Sequence, residues 1–205
     1  MALVDWQIQH HCGDNSFTPQ EWNDKALAYK LKPCPKNPMV TPYNLSQVNS
    51  HSYDVVIGDA LKIAALGVPP KINTLRHADK SLCAEYKWID FDLTNGDIFW
   101  LTPDDFILTE TLESFNIPRN ISAVFALKSS RGREGYEHLL AAFIDGGWHG
   151  SRLTLELKNA SPNPIPIYKG LKIGQIVFSY SDHPIRAYDE RGRYNCDDGV
   201  QESKG

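Results

Sequence analysis

Three short stretches of the chain carry residues that could do chemistry. The densest is Lys128-Ser129-Ser130-Arg131-Gly132-Arg133, directly after the apolar run ISAVFAL (121–127). Three cations and two hydroxyls within six residues suit an anion. Arg makes paired bonds to phosphate oxygens, Ser donates from its hydroxyl, and Gly lets backbone N–H groups come close. A solvated basic turn would use the same residues, and the stretch alone does not choose between the two. The second is Ile144-Asp145-Gly146-Gly147-Trp148-His149-Gly150, followed by LTLELKN (153–159). Strand alternation points Leu153, Leu155 and Leu157 one way and Thr154, Glu156 and Lys158 the other. Glu is disfavoured in mid-strand. Facing a cavity, Glu156 could serve as a general base; facing solvent, it would be a strand residue paired with a cross-strand cation. Trp148 is expected in the core and His149 in a surface loop. The third stretch runs from Tyr168 to Phe178, where Gly170 and Gly174 frame a turn into a buried strand.

These residues need elements to hold them. TPQEWNDKALAYKL (18–31) predicts a helix, with Thr18 as N-cap, Pro19 at the first helical position and Glu21 completing a capping box. Residues 32–47 hold four prolines and predict an extended surface connection. From residue 48 the texture is short β-branched and aromatic runs: 53–57, 86–93, 97–101, 105–111, 121–128, 153–157, 164–168, 174–180 and 184–188. Gly, Pro, Asn and Asp punctuate them closely, which predicts a sandwich or barrel and not alternating strands and helices. Residues 67–82 read as a mobile polar loop. Residues 189–205 have few apolar side chains and read as a tail that is disordered or ordered by a ligand.

Composition bounds the function. The 205 residues carry 21 Lys+Arg against 25 Asp+Glu, a net charge of −4. That balance argues against bulk nucleic-acid binding, which needs a basic face. The longest apolar stretches, such as AVFAL (123–127), are too short to span a bilayer, so no membrane role is expected. MALVDWQIQHH has neither a basic leader nor a long apolar segment, so no signal peptide is expected and the cytoplasm is the expected compartment. Cys12, Cys34, Cys83 and Cys196 form no CxxC pair and match no zinc ribbon; they read as reduced thiols.

Taken together, the three stretches resemble the dCTP deaminase and dUTPase superfamily. Its members carry, in order, S-S-x-x-R after a strand, I-D-x-G-W/F-x-G, T-L-E-x-x-N and G-x-x-I-G-Q-x-x-F. Here these stand as Ser129 through Arg133, Ile144 through Trp148, Thr154-Leu155-Glu156 and Gly170 through Phe178. LVDWQI (3–8), VNSHSYDVVIG (48–58), TETLESFNIPRNISA (109–123) and RAYDERGRYNCDDG (186–199) extend the likeness to nearly the whole chain. Trimeric dUTPases carry a hydrophobic residue where Glu156 stands and end in a Gly-rich, Phe-containing arm. This chain does neither, so the deaminase branch is nearer.

The resemblance implies an all-β-dominated fold, a distorted β-barrel or jelly-roll of the trimeric dUTPase type with a short N-terminal helical region. It implies one domain over 1–188 and an arm over 189–205 that closes over the nucleotide, in a homotrimer whose active sites lie at subunit contacts. The implied activity is hydrolytic deamination of dCTP to dUTP and ammonia. Most nucleobase deaminases hold zinc with an H-x-E…P-C-x-x-C signature; here Cys34 follows Pro33 without a second Cys at the right offset. No zinc is therefore expected, and Mg²⁺ would come with the triphosphate. By resemblance, Glu156 is the general acid/base. Ser129 and Arg133 orient the water, hold Glu156 and contact phosphates, with Lys128, Ser130 and Arg131 beside them in the substrate site. Ala141 and Ala142 stand where the family contacts the base through its backbone. Asp145 bonds the deoxyribose 3′-hydroxyl, and in bifunctional members the matching Asp also helps attack the phosphate. Tyr188 packs on the sugar, Arg193 holds the triphosphate, and Gln175 matches a family glutamine for which a structural role is equally open.

Three departures stand out. The spacing from Gly150 to Glu156 is one residue longer than usual, with Ser151-Arg152 in the gap. A β-bulge would absorb it; without one, Glu156 would turn outward. After Arg193-Tyr194 the chain has Asn195-Cys196-Asp197-Asp198 where deaminases have a phosphate-binding Gln, which leaves triphosphate and monophosphate substrates both open. Glu134 stands where the family often has Leu. A bifunctional enzyme giving dUMP, a plain dUTPase and a non-catalytic nucleotide-sensing protein are the alternatives.

Overall fold

The computed structural model describes residues 1–14, 37–65, 71–73, 83–139 and 141–204, with only the backbone at 71–73 and 83–85. The predicted helix over 18–31 lies outside the described residues, as do the first part of the 32–47 connection and most of the 67–82 loop. In chain order the elements are α1 (Asp5–His11), β1 (Val40–Thr41), a 3₁₀ turn (Leu45–Gln47), β2 (Val48–Asn49), β3 (Ser52–Ala64), β4 (Lys71–Asn73), β5 (Cys83–Glu85), β6 (Trp88–Asp92), β7 (Phe99–Leu101), β8 (Phe106–Asn116), β9 (Ile121–Leu127), α2 (Ser129–Arg133), β10 (Tyr136–His138), β11 (Phe143–Ile144), β12 (His149–Asn159), β13 (Ile165–Ile167), β14 (Lys172–Tyr180) and α3 (Tyr188–Arg191).

The fold is mostly β, as expected. One curled antiparallel sheet follows the path β10-β12-β8-β3-β14-β9-β11. Its long central strand, β3, joins two halves. Tyr53–Val56 pair with β14, while Ala60–Ala64 pair with β6 and Leu61–Ile63 with β8. Between Ile57 and Leu61 the register shifts, and such irregularities bend a strand and raise its twist. The core is filled by Tyr53, Ile57, Phe115, Leu155, Leu157, Ile176 and Phe178, all 0% exposed. Each such side chain contributes roughly 1.5–3 kcal/mol by leaving water.

β8 runs further than the apolar pattern predicted, on to Asn116 through Glu113, which is buried like Glu110. Buried carboxylates are tolerated when bonded; Glu113 accepts from Gln47 Nε2 at 2.6 Å and from the Val56 N–H at 3.2 Å. The predicted strand over 184–188 does not form. Pro184 supplies no N–H, Ile185 is fully in solvent, and the chain instead winds into α3. α1 is short but capped from within: Gln7 Oε1 accepts the Val4 N–H at 3.0 Å, and Trp6 and Ile8 are buried. No described helix is long and apolar enough to cross a membrane.

Candidate active site

β12 carries the decisive geometry. His149 faces Asn116 of β8 and Ser151 faces Phe115, so Gly150 is an extra residue bulged out of the ladder. Its φ of +69° is a conformation Gly adopts without strain. A second irregularity falls between Arg152 and Thr154. After these shifts Leu155, Leu157 and Asn159 are buried, and Thr154, Glu156 and Lys158 take the other face, as alternation predicted. Leu153 is partly buried, packed against the core as that pattern predicted, and also lines a cavity.

That cavity, of about 530 Å³, is where Glu156 points. Ala141, Asp145 and Tyr188 line it too. The Glu156 side chain is 27% exposed, and its Oε2 lies 3.4 Å from His138 Nε2 on β10, neither atom hydrogen-bonded among the described residues. His138 is itself buried, its ring 4.6 Å from that of Phe125. Sequence reasoning passed over His138; its alternation with buried Tyr136 and exposed Glu137 was the available signal.

The turn that presents Asp145 is tightly built. A Cβ on Gly146 would fall 2.5 Å from the Arg119 carbonyl oxygen and 2.8 Å from that of Ile121, so only glycine fits. The Tyr188 N–H donates to the Gly146 carbonyl at 3.0 Å, and Asp189 accepts from Arg119 Nη2 at 2.7 Å. These bonds dock α3 on the turn and put the Tyr188 ring in the cavity wall, where burial raises its phenol pKa. Trp148 is buried as expected.

The tail contributes to the cavity wall through Tyr194, Asp197, Gln201, Glu202 and Ser203. Trp148 Nε1 and Ser151 Oγ donate to the Tyr194 carbonyl at 2.7 and 2.9 Å. The Gln201 N–H donates to Thr154 Oγ1 at 3.1 Å, Lys62 holds Glu202 at 3.2 Å, and Val200 is buried. This packing exceeds what the polar composition of 189–205 predicted, because backbone groups and not apolar side chains supply most of it.

The other half of the expected site lies elsewhere. None of residues 128–133 lines the cavity. The predicted turn is a one-turn helix, α2, that leaves Ser129, Ser130 and Arg133 exposed. Arg131 is paired with Glu134 at 2.6 Å, and Lys128 with buried Asp54 at 2.7 Å. Ala142 is partly buried and accepts the Phe125 N–H at 2.9 Å. Gln175 accepts from Ser52 Oγ at 3.0 Å within the sheet, a structural contact. Arg193 is exposed, and its carbonyl accepts from Lys204 Nζ at 3.0 Å. Among the described residues, no group of three or more His, Cys, Asp and Glu stands close enough to hold a metal ion.

A family model for dCTP deaminase-like proteins matches residues 28–181. The chain belongs to the dCTP deaminase-like family. A protein of Methanoregula boonei named dCTP deaminase, dUMP-forming, is 40% identical over 192 residues, 93% of this chain and 88% of that one. A Mycobacterium ulcerans protein of the same name is 39% identical over 172 residues, 80% of this chain and 86% of that one. A Campylobacter curvus protein named dCTP deaminase is 27% identical over 187 residues, 86% of this chain and 95% of that one. In fold, this dCTP deaminase-like chain is similar to the crystal structure of 2′-deoxycytidine 5′-triphosphate deaminase from Agrobacterium tumefaciens, with a TM-score of 0.54 and 18% identity over 88% of this chain. It spans about half, 48%, of that longer chain.

Proposed function

We propose that the protein hydrolyses dCTP at cytosine C4, with Glu156 as general acid/base, and carries the product on to dUMP. The observation that carries the reading is the bulged strand that turns Glu156 into a cavity shared with Ala141, Asp145 and Tyr188. In this reading the Glu156 carboxylate takes a proton from the attacking water and passes it to N3, then relays the proton of the resulting C4 hydroxyl to the leaving amine, leaving the C4 carbonyl. Water activation rests on that carboxylate, not on zinc. Ammonia leaves and dUTP forms. A second water, positioned near Asp145, then attacks the phosphate chain, and dUMP and pyrophosphate leave. The second step is favoured over release of dUTP by the dUMP-forming names of relatives at 40% and 39% identity.

The phosphate chain would meet Ser129 and Arg133 of a neighbouring protomer in a homotrimer, since within one chain these residues lie away from the cavity. Exposed Phe143 and Val124, paired across β11 and β9, offer an apolar edge for such an assembly. Mg²⁺ would accompany the triphosphate and screen its charge. The body over 1–188 then supplies the pocket, and the arm over 189–205 closes it.

The test is incubation with dCTP, dCMP and dUTP, each with Mg²⁺, assayed for ammonia and pyrophosphate. Equal amounts of both from dCTP are expected. Ammonia alone would assign release of dUTP; pyrophosphate without ammonia would refute the deaminase reading, and nucleotide binding without turnover would point to a sensor. Glu156→Gln should lower ammonia release by about 10²–10⁴ while binding changes little. Ammonia at the wild-type rate from this variant would remove the role of Glu156.

A further inference from the structure

Arg152, one of the two residues in the lengthened gap before Glu156, has no assigned role. It lines the same cavity, and among the described lining residues it is the one cation beside Asp145, Glu156, Asp197 and Glu202. Two carboxylates from neighbouring strands fix it. Its Nη1 lies 2.5 Å from Glu110 Oε1 on β8 and 3.0 Å from Asp59 Oδ2 on β3. Glu110 is 1% exposed, and Asp59 is held in turn by Lys169 at 2.5 Å. Among the described residues both side-chain hydrogen bonds of Arg152 fall on Nη1, and Nε and Nη2 carry none.

This is an unusual way to line a sheet. Burying a carboxylate is unfavourable unless it holds a cation in good geometry, and an apolar pair would pack as well. The arrangement makes sense if the guanidinium must be aimed. The cavity is also graded in polarity. Leu108 stands directly across from Glu156, with Trp88 and Phe106 close by, and this end suits a flat heterocycle. Two residues back along β12, about 7 Å away, Thr154 faces Glu110, and here Arg152, Ser151 and the tail make a polar end. The tail's Lys204 is already tied to Asp197 at 2.5 Å, so its ammonium is engaged within the tail.

We propose that Arg152, braced by Glu110 and Asp59, binds a phosphate oxygen of the nucleotide and sets the preference for phosphorylated cytosine substrates. The inference rests on the cytosine-nucleotide reading above. Arg152 then supplies from the strand a polar phosphate contact of the kind that the family arm supplies with glutamine. Glu110 and Asp59 are positioning residues that present its remaining N–H groups.

The experiment uses the full chain carrying Glu156→Gln, which holds nucleotides without turning them over. Deoxycytidine and, with Mg²⁺, dCMP and dCTP are titrated into it calorimetrically. Adding Arg152→Gln should weaken dCTP about tenfold to a hundredfold, as for loss of a charge-assisted bond, and leave deoxycytidine within about twofold. Arg152→Lys, which keeps the charge, should restore part of the dCTP affinity, and Glu110→Gln should give an intermediate loss. In protein with Glu156 intact, Arg152→Gln should raise KM for dCTP more than it lowers kcat. Equal weakening of dCTP and deoxycytidine, or unchanged dCTP affinity, would overturn the phosphate contact. If Arg152→Gln does not fold, Arg152→Lys and Glu110→Gln carry the same comparison between dCTP and deoxycytidine. A parent that binds none of the three ligands overturns the cytosine-nucleotide reading and this contact with it. A parent that binds dCTP as tightly as its Arg152 variants overturns the contact alone.

Discussion

Lys128 opens the basic stretch that drew attention to an anion site, yet the structure gives it a partner of its own. Its Nζ lies 2.7 Å from Asp54 Oδ1, which also accepts from Asn49 Nδ2 at 2.8 Å. The Asp54 side chain is 6% exposed and the Lys128 side chain 27%. At an effective dielectric of about 20, unit charges at that separation attract by about 6 kcal/mol. Desolvation of the two ions takes back several kcal/mol, and water still reaches Lys128. Lys172, 3.6 Å from Asp54, shares the load. A coupling of about 1–2 kcal/mol should survive these offsets. Lys128→Met should therefore lower unfolding free energy by about 1–3 kcal/mol, leaving Asp54 buried with Asn49 and the more distant Lys172. Asp54→Asn should cost about as much, and the double variant clearly less than the sum. Urea unfolding of the four proteins at one fixed protein concentration measures this. Additivity within about 0.5 kcal/mol would refute the reasoning, since the pair would then contribute nothing as a pair.

Two further outcomes follow from the split site and the buried titratable groups. If Glu156 of one protomer works with Ser129 and Arg133 of another, Glu156→Gln and Arg133→Ala are each inactive alone. Randomly mixed trimers should then regain about a quarter of wild-type sites; no recovery after mixed refolding would place the whole site within one chain. The pKa of His11 is lowered from 6.5 to about 4, chiefly by burial and then by neighbouring His10. The unfolded chain takes up a proton that the folded chain resists, so stability falls as pH drops from about 6.5 towards 4. Glu113 acts with the opposite sign. Burial raises its pKa from 4.5, so its contribution is full below 4.5 and is lost as pH rises through the folded value. His11→Gln should flatten the fall in urea midpoint between pH 7 and pH 5; an unchanged fall would assign the acid lability to other groups.

The parts of the site that depend on alternation were legible in the chain. Leu155 and Leu157 against Thr154 and Glu156 set the inward and outward faces of β12, and the extra residue before Glu156 required the bulge found at Gly150. What was illegible depended on pairing between distant strands. Glu110 falls inside the predicted strand and Glu113 just beyond it, but nothing local reveals that Arg152, Gln47 and the Val56 N–H will meet them. PIRAY (184–188) has the composition of a strand, but Pro184 supplies no N–H and Ile185 stays in solvent. The tail's packing was hidden for the same reason, since Tyr194 is held through its carbonyl and no side-chain pattern encodes that contact.

The division of charge within the chain argues for how the site is assembled. The cavity holds Glu156, Asp145, Asp197 and Glu202 against one arginine, while Ser129, Ser130 and Arg133 stand exposed on α2 with no carboxylate of that cavity beside them. A polyphosphate entering the cavity of an isolated chain would meet repulsion that Arg152 alone could not offset. Brought against a second copy, the exposed α2 donors would face the acidic mouth and offset it. Each half is thus electrostatically incomplete in the sense the other supplies. A nucleotide that bridged them would add the α2 donors of a second chain to the Arg152 contact of the first, and turnover would then depend on assembly.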